Sequence, residues 1–381
     1  MTLEKQFSEF GVSTLKKIGL AIIGSTGAIG DRHIDAINQL DSCELIGVNA
    51  RRQEPLIEQA NRLGVKPYPT LLDVLNDSEV DAIVIATPHP SHMEITLKAF
   101  EYGKHVLVEK PISVTPSEAD RMINASRSNN LKLSVLFNNR FRTQSIKMKD
   151  LIKSGELGEI YRASVSSGMF RTQDYYDQLD WRGTWEWEGG GALINQGIHA
   201  IDLFVSLVGL PHTVFGQMRT LKHEIEVEDY ASALLEYDNG FLATLTCDTV
   251  QAPLKQRMEI YGEKGAIIMD DWNVSIHRLK TPLQEFMDNT PGMFVSPESV
   301  EEKFDLTEID NTHAPTIDDF CRSIIDDREP EITGEEGSKA QELVSAIIMS
   351  GCTGQRISLP VDRAEYENVL KSLIKTKRLP D

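Results

Sequence analysis

The chain has 381 residues, of which 40% are hydrophobic and 25% are charged, and its formal net charge is −19. This is the composition of an ordinary globular protein, and the length favours two domains over one. The acidic balance argues against a general affinity for nucleic acid or for an anionic membrane, because no excess of cations is available to replace counterions.

The N-terminus and the cysteines bear on the cellular compartment. Residues 1–16 are polar and lack the apolar core of a signal peptide, so we expect an extension that leads into the fold. No apolar run approaches the length of a membrane span. The four cysteines are scattered and form no C-x-x-C pair, which favours reduced thiols over a disulfide framework or a zinc site. We therefore expect a cytoplasmic protein without a metal.

Strand-like and helix-like stretches alternate over residues 17–138. The predicted strands are 18–23, 44–48, 81–86, 105–108 and 132–137. Helix-like stretches lie between them, among them 31–40, 90–102 and 117–128. Because the strands are short, nearly continuous apolar runs, this alternation predicts a doubly wound parallel sheet, that is, a Rossmann domain for a dinucleotide.

The pattern changes after Phe137. A helix candidate at 144–154 precedes strand-like runs at 160–166, 213–218, 230–237, 241–248, 257–261 and 266–269. Further helices are predicted at 197–208, 317–325, 338–350 and 364–376, and a long loop at 280–302. Residues 139–381 are therefore predicted to form an α/β domain with a mainly antiparallel sheet, whose exposed face would favour self-association.

A glycine turn follows the first strand. Its spacing is G-x-x-G-x-x-G, through Gly24, Gly27 and Gly30, and a helix-like stretch comes next. Strand, glycine turn and helix are the context in which a backbone approaches a pyrophosphate at the amino end of a helix. The predicted cofactor contacts in this turn are Gly24, Ser25, Thr26, Gly27, Ala28 and Ile29.

The end of the second strand indicates the cofactor. About 20 residues after a glycine fingerprint, an NAD-binding sheet carries an acid for the ribose hydroxyl. Here Ala50 is followed by Arg51 and Arg52, whose guanidinium groups suit a 2′-phosphate. A solvated basic turn is the alternative. We favour NADP(H), with NAD(H) possible.

The next strand ends place further residues at the same edge of the sheet. Thr87 and Pro88 are predicted to pass under the nicotinamide ribose, and His92 is favoured over His89 as a neighbour of the cofactor. Glu109 and Lys110 end the strand in GKHVLVEKP, and ligands bind outside the carboxyl ends of parallel strands. Lys110 is therefore predicted to lie at the site.

The most unusual stretch is WRGTWEWEGGGALINQGIHAID, residues 181–202. Three glycines beside three tryptophans indicate a backbone close to a ligand, with aromatic surface of the kind that sugars prefer. On a helix, Asn195, His199 and Asp202 share one face, with Asp202 orienting or capping. Tyr175 lies in the aromatic segment just before it and is a predicted substrate contact.

Several long motifs, in order, resemble the glucose–fructose oxidoreductase, inositol dehydrogenase and rhizopine-catabolism (Gfo/Idh/MocA) family. They are GKHVLVEKP at 103–111, SGELGEI at 154–160, GGGALINQGIHAIDL at 189–203, MEIYGEKGAIIMD at 258–270 and the segment 333–360. The resemblance implies a Rossmann domain, then an α/β domain whose large open sheet forms a homodimer or homotetramer. It implies NAD(P)-dependent oxidation or reduction of a secondary alcohol of a sugar or cyclitol.

The resemblance also implies roles for single residues. Lys110 matches the lysine of the family's EKP motif and His199 its histidine, and both would handle the proton. His199 is expected to titrate near neutrality and to share or relay that proton. Asn195 stands where the family often has aspartate, and an amide can orient a hydroxyl but cannot take its proton. Trp181 and Arg182 match a family segment that approaches the cofactor. This segment would come either from the same chain or from a neighbouring subunit. Arg140 matches a substrate contact.

Two other functions remain open at this point. Some relatives use NAD to oxidise a sugar transiently and so cleave a glycosidic bond. Other proteins of this fold bind a dinucleotide and regulate partners without catalysis. Free reduced cofactor argues against the glycosidase, and the presence of Lys110 and His199 argues against the sensor.

Overall fold

The computed structural model describes residues 17–27, 29–253, 256–307 and 313–380. The predicted extension at 1–16 and the predicted cofactor contact Ala28 lie outside the described residues. The rest of the chain builds two sheets, one parallel and one mixed, as the α/β prediction requires.

The first sheet has six parallel strands in the order β3-β2-β1-β4-β5-β6. Its strands are β1 (Ile18–Ile23), β2 (Cys43–Asn49), β3 (Lys66–Tyr68), β4 (Ala82–Ile85), β5 (His105–Val108) and β6 (Leu133–Val135). Its helices are α1 (Gly30–Ile37), α2 (Gln53–Leu63), α3 (Leu71–Asn76), α4 (His92–Glu101) and α5 (Pro116–Asn129). The five predicted strands are present, and β3 is an addition: a three-residue edge strand that contains a proline gives little sequence signal.

The parallel strands are apolar because both faces of the sheet are covered. Leu20 and Ile22 of β1 pack into one hydrophobic cluster, and Ala21 and Ile23 pack into another on the opposite face. All six residues of β1 are buried. The sequence of β1 is therefore a continuous apolar run rather than an alternation of apolar and polar residues.

The second sheet has nine strands in the order β14-β13-β12-β11-β7-β10-β9-β8-β15. Its strands are β7 (Ile160–Gly168), β8 (Thr213–Arg219), β9 (Tyr230–Glu236), β10 (Leu242–Asp248), β11 (Gln256–Gly262), β12 (Gly265–Asp270), β13 (Asn273–Leu279), β14 (Ser299–Lys303) and β15 (Ile357–Ser358). β7 and β10 are parallel, and the other neighbouring pairs are antiparallel. The predicted large, mainly antiparallel sheet is confirmed.

The helices of this half are α6 (Thr143–Lys153), α7 (Gln173–Asp177), α8 (Trp185–Glu188), α9 (Ile198–Val208), α10 (Leu283–Asn289), α11 (His313–Ile325), α12 (Gly334–Thr353) and α13 (Arg363–Thr376). Short 3-10 turns lie at His89–Ser91 and Asn138–Phe141, and a π-helical turn lies at Ala192–Gln196. The expectation of a long loop at 280–302 is wrong, because α10 and most of β14 lie there. All five residues of β14 (SVEEK) are exposed, and β13 is its one neighbour among the described strands. Its polar sequence therefore lacks the usual strand pattern.

The C-terminal helices cover both sheets. α11 returns to the parallel sheet, where Ile317 and Phe320 join the cluster of β1 and α1. α9 and α12 pack together under β8 and β7, so that one face of the nine-stranded sheet is covered. None of the described helices is, by itself, both long and apolar enough to cross a membrane. Only Trp185–Gln196 and Ile198–Val208, bent by 61°, pass that test as a pair.

The other face of the nine-stranded sheet is open. Phe215, Leu234 and Leu242 lie on it, each at least 40% exposed. Phe215 is paired with Leu234 across β8 and β9, while their neighbours Val214 and Leu235 are buried on the helix side. We call these three exposed side chains the apolar strip. Leu242 lies diagonal to Leu234 in it, because Leu234 itself is paired with Thr244 on β10.

Candidate active site

A cleft of about 660 Å³ lies where the carboxyl ends of the parallel strands meet the second sheet's connecting segments. One wall includes Gly27, Ile29, Thr87, Pro88, Glu109 and Lys110. The opposite wall includes Tyr175, Trp181, Arg182, Asn195 and His199. The structure thus brings together 11 of the residues that the sequence singled out, from segments far apart in the chain.

The glycine turn is built against the end of β2. The backbone N–H groups of Gly24 and Ser25 donate to the carbonyl oxygen of Asn49 at 2.9 and 3.1 Å. Gly24 has a φ of +88°, and a Cβ on Gly30 would lie 1.7 Å from the carbonyl oxygen of Ser25. Only glycine allows this turn to pack so closely against α1. Gly24, Ser25 and Thr26 form the turn itself, and Gly27 and Ile29 face the cleft.

Arg51 and Arg52 lie beside this turn without lining the cleft. They are exposed and follow β2 after one intervening residue, Ala50. Arg51 thus lies two residues beyond Asn49, whose carbonyl oxygen accepts from Gly24. This is the edge where a cofactor's ribose would pass in a sheet of this topology. Neither Arg51 nor Arg52 is the acid that an NAD-binding sheet would carry here for the ribose hydroxyl.

Two histidines follow β4, His89 and His92, and their positions are the reverse of those expected from the sequence. His89 lines the cleft, and its Nδ1 donates to the carbonyl oxygen of Glu188 at 3.3 Å. His92 instead lies behind the wall, fully buried, with its ring nitrogens 3.0 and 2.9 Å from the carbonyl oxygens of Pro111 and Thr87. His92 therefore holds two loops together, and the expectation that it approaches the cofactor is not met.

Glu109 and Lys110 sit side by side in different environments. His33 donates to Glu109 Oε1 at 2.9 Å. Burial alone would raise the pKa of Glu109, but the hydrogen bond from His33 and nearby positive charges lower it to about 2. Lys110 donates from Nζ to the carbonyl oxygen of Asn195 at 3.0 Å. Burial lowers the pKa of Lys110, the charge of Arg171 adds to this effect, and Glu109 and Glu188 oppose it.

Asn195 lies in the π-helical turn, not on a regular helix with His199. Its side-chain Nδ2 donates to Oε1 of Glu188, a buried carboxyl whose pKa burial raises to about 7. The amide is thereby fixed, with its nitrogen turned to the protein. Sequence reasoning missed Glu188, although it directly precedes the triple glycine.

His199 lines the cleft and packs edge-on against Phe137, with ring centroids 5.8 Å apart. Its buried Nδ1 has no hydrogen-bond partner among the described residues. Burial and then the charge of Lys110 lower the pKa of His199 to about 3. The expected titration near neutrality is therefore wrong, and the imidazole is neutral at physiological pH.

Asp202 and Arg140 pair with each other outside the cleft. Nε and Nη2 of Arg140 donate to the two carboxylate oxygens of Asp202 at 2.8 and 2.7 Å. Both side chains are almost wholly buried. Asp202 therefore does not orient His199, and the structure does not bring Arg140 to the predicted substrate site.

The triple glycine packs against protein, not against the cleft. A Cβ on Gly191 would lie 2.0 Å from the carbonyl oxygen of Glu228, whose carboxylate accepts from the N–H groups of Gly191 and Leu193. The expectation of glycine backbone facing a ligand is therefore wrong. Of the three tryptophans, Trp181 lines the cleft, Trp185 is buried and Trp187 points to solvent.

A chain of polar and aromatic contacts organises the wall of the second domain. Gln196 Nε2 donates to the hydroxyl of Tyr175 at 2.7 Å, and Arg171 Nη2 donates to Gln196 Oε1 at 2.7 Å. The guanidinium of Arg182 stacks 4.2 Å from the Tyr175 ring centroid. Trp181 and Arg182 line the cleft of their own chain, so no neighbouring subunit is required to place them.

This fold and motif order match known proteins. Residues 18–137 match the oxidoreductase family with an NAD-binding Rossmann fold, and residues 145–268 match the GFO/IDH/MocA C-terminal domain. The uncharacterized oxidoreductase YhhX of Escherichia coli (strain K12) is 31% identical over 290 residues, 74% of this chain and 79% of that protein. The chain belongs to the Gfo/Idh/MocA family.

Two further proteins to which this chain is similar have named activities or ligands. The scyllo-inositol 2-dehydrogenase (NADP(+)) IolW of Bacillus subtilis (strain 168) is 27% identical over 254 residues, 66% of this chain and 68% of that protein. The WlbA dehydrogenase from Bordetella pertussis, solved with NADH and UDP-GlcNAcA, has a TM-score of 0.78 and 31% identity, covering 91% of this chain and 100% of that one.

One group of side chains in this Gfo/Idh/MocA chain has a spacing compatible with a metal ion. His33, Glu109 and His313 offer ligand atoms that all lie within 4.8 Å of one another. The direct hydrogen bond from His33 to Glu109 already satisfies two of them. The expectation that the enzyme needs no metal stays a prediction.

Substitution of Arg140 distinguishes a structural role from the predicted substrate contact. Arg140→Met leaves the Asp202 carboxylate buried and uncompensated, so we expect the free energy of unfolding to fall by about 3–5 kcal/mol in urea denaturation. Arg162→Met removes a mostly exposed partner 3.9 Å from Glu259 and should cost less than about 1 kcal/mol. Unchanged stability with weakened substrate turnover would restore the substrate role.

Proposed function

We propose that the protein transfers hydride between C4 of a nicotinamide and a ring carbon bearing a secondary hydroxyl, on a sugar, a sugar derivative or a cyclitol. The observation that carries this proposal is the convergence of Lys110, His199 and the Asn195 amide in one cleft, at the carboxyl edge of a Rossmann sheet. The named activity of IolW supports the cyclitol class.

The residues at this edge fit a dinucleotide. The amino end of α1 opens toward the cleft, Gly27 leaves its backbone accessible, and Arg32 lines the same wall. Helix amino ends and guanidinium groups both attract a pyrophosphate. When bound, the nicotinamide supplies or accepts the hydride, and the protein's residues handle the proton.

Lys110 is the base in this mechanism. A hydroxyl must lose its proton as hydride leaves the carbon, and the acceptor must be within hydrogen-bond reach and partly deprotonated. The lowered pKa of Lys110 favours that state. The carbonyl oxygen of Asn195 holds the lysine nitrogen in place.

His199 and Asn195 orient the substrate. The neutral imidazole lines the cleft beside Lys110 and Asn195 and can bond the reacting oxygen. Because Asn195 turns its nitrogen to Glu188, its side-chain oxygen is left to accept from a neighbouring hydroxyl. Tyr175 and Trp181 supply aromatic surface beside the ring.

Lys110→Met tests the base. We expect NADH and NADPH affinities within about twofold of the parent and turnover reduced about 100- to 10,000-fold, the usual effect of removing a general base. In the parent, kcat/KM for alcohol oxidation should rise with pH, with a midpoint below the usual lysine pKa, because only the neutral amine accepts a proton. Lys98→Met, on the surface of α4, is the control. Near-parental turnover of Lys110→Met would remove Lys110 from the mechanism.

The same assay separates the two alternative functions. Release of an aglycone without net reduced cofactor would favour the glycosidase. Dinucleotide binding with no turnover of any ring alcohol would favour the sensor.

We propose NADP(H) as the preferred cofactor, bound through Arg51 and Arg52. Changing both arginines to serine should weaken NADPH binding about 10- to 100-fold, with NADH affinity almost unchanged, because only NADPH carries the 2′-phosphate. Arg62→Ser, an exposed position on α2, is the control, and fluorescence titration is the measurement. A parent that prefers NADH, or an equal loss for both cofactors, would refute this assignment.

We also propose a cytoplasmic homodimer or homotetramer that forms through the open face of the nine-stranded sheet. Leu234→Asp places a charge in the middle of the apolar strip and should lower the native mass to that of a monomer in light scattering. Leu72→Asp, equally exposed but on α3 of the first domain, should not. A monomeric parent, or a mass unchanged by Leu234→Asp, would exclude this interface.

A further inference from the structure

The cleft is cationic although the chain is acidic. Arg32, Lys110, Arg171 and Arg182 line it, and among the described lining residues Glu109 is the single acid, already bonded to His33. None of the three arginines forms an ion pair within the described residues, whereas Arg140, Arg257, Arg278 and Arg363 all do. Unpaired guanidinium groups in a concave site indicate an anionic ligand.

Arg171 is the best positioned of these groups for a substrate. Its backbone N–H donates to the carbonyl oxygen of Thr249 at 2.9 Å, and its own carbonyl accepts from His223 Nε2 at 3.0 Å. His223 is in turn held by the buried carboxylate of Asp229. The chain is therefore fixed at Arg171 independently of its side chain.

The guanidinium of Arg171 is also oriented in advance. Nη2 donates to Gln196 at 2.7 Å and Nη1 to the carbonyl oxygen of Phe170 at 2.8 Å. The group lies 5.1 Å from the Tyr175 ring centroid. A guanidinium has five N–H donors, so two described bonds leave donors for a ligand.

Arg182 completes this corner from the other side of Tyr175. It stacks on that ring and donates from Nη1 to the carbonyl oxygen of Tyr175 at 2.8 Å. Its Nε is buried and has no partner among the described residues. Because a guanidinium has five N–H donors and Arg182 lines the cleft, it can offer a further donor to an anion beside the same aromatic ring.

The position of Arg171 separates it from the cofactor's phosphates. Arg32 belongs to α1, beside the glycine turn, where a pyrophosphate would bind. Arg171 follows β7 and touches Gln196, the residue after Asn195, and its charge acts on Lys110. Arg171 therefore belongs to the end of the cleft where the reacting carbon would lie.

We propose that the substrate is an anionic sugar or cyclitol, whose carboxylate or phosphate group binds Arg171 with Arg182 beside it. This inference rests on the proposed dehydrogenase function and names the substrate class within it. A planar carboxylate can accept two parallel hydrogen bonds from a guanidinium, and a phosphate binds it through charge and two oxygens.

The test is a matched panel of ring alcohols assayed with NAD⁺ and NADP⁺. Gluco-, manno- and galacto-pyranoses are each supplied as the neutral sugar, the 6-carboxylate and the 6-phosphate, with myo- and scyllo-inositol and their monophosphates added. We expect an anionic member to be oxidised with kcat/KM at least tenfold above that of its neutral counterpart. The carboxylate and phosphate series distinguish the two sources of charge.

Variants of Arg171 test whether this residue causes the preference for anionic ring alcohols. Arg171→Gln should abolish the preference, lowering the ratio of kcat/KM for the anionic member to that for its neutral counterpart by about 10- to 100-fold, with NADH affinity unchanged. Arg171→Lys keeps a point charge and should retain more activity on a phosphate than on a carboxylate. Arg162→Gln, an exposed arginine of the same sheet, is the control.

Failure of this inference differs from failure of the proposed function. Turnover of neutral members alone, or an anion preference that survives Arg171→Gln, overturns the anionic substrate and leaves the dehydrogenase intact. An equal loss of NADH affinity in Arg171→Gln assigns the guanidinium to the cofactor and likewise overturns it. Turnover of no member by the NADH-binding parent overturns both.

Discussion

The hydrogen bond from Lys110 to the Asn195 carbonyl connects the two halves of the active cleft. Lys110 arrives at the end of β5 in the parallel sheet, and Asn195 arrives on a π-helical turn of the second domain. Each residue is held in place by its own half of the protein. Lys110 follows the buried strand β5, and Asn195 is hydrogen-bonded to Glu188. The placement of the proposed base therefore depends on both sheets, not on either one alone.

Lys110 forms no direct ion pair with any described residue, although two carboxyl groups lie nearby. Glu109 and Glu188 lie close enough to act on its pKa, yet Glu109 is engaged by His33, and Glu188 by Asn195 and the Gly183 N–H. A lysine neutralised by a carboxylate at contact distance would hold its proton tightly. Because both acids are bonded to other donors, neither forms a contact ion pair with the amine nitrogen, as the proposed proton exchange with a hydroxyl requires.

The features that could be predicted from the sequence are those that depend on residues close together in the chain. The glycine turn and the buried strand before Lys110 each depend on residues close in the chain, so their patterns are visible without the structure. The errors concern long-range pairing. Gly191 needs to be glycine because Glu228 lies against it, and no local signal names that partner. Arg140 and His199 both looked functional, but a partner 62 residues away removes Arg140 from the cleft.

Burial explains the remaining difference between prediction and structure. A histidine is expected to titrate near neutrality only while water can reach it, and the depth of His199 follows from packing against Phe137, a residue of the other domain. The same reasoning identifies Glu188. Its carboxyl is buried and accepts from the Gly183 N–H and the Asn195 amide, so its role beside Asn195 appears only when the π-helical turn is formed.

The net charge of −19 and the cationic cleft are compatible because they act over different distances. At physiological ionic strength the field of surface carboxylates decays over about 8 Å, so the acidic exterior has little influence inside the cleft. Hydrogen bonds from Arg171 and Arg182 act at contact, where water is partly excluded and screening is weak. Global charge therefore argues against nucleic acid and anionic membranes as general partners, whereas the proposed anionic ligand would be selected by the few side chains around Tyr175.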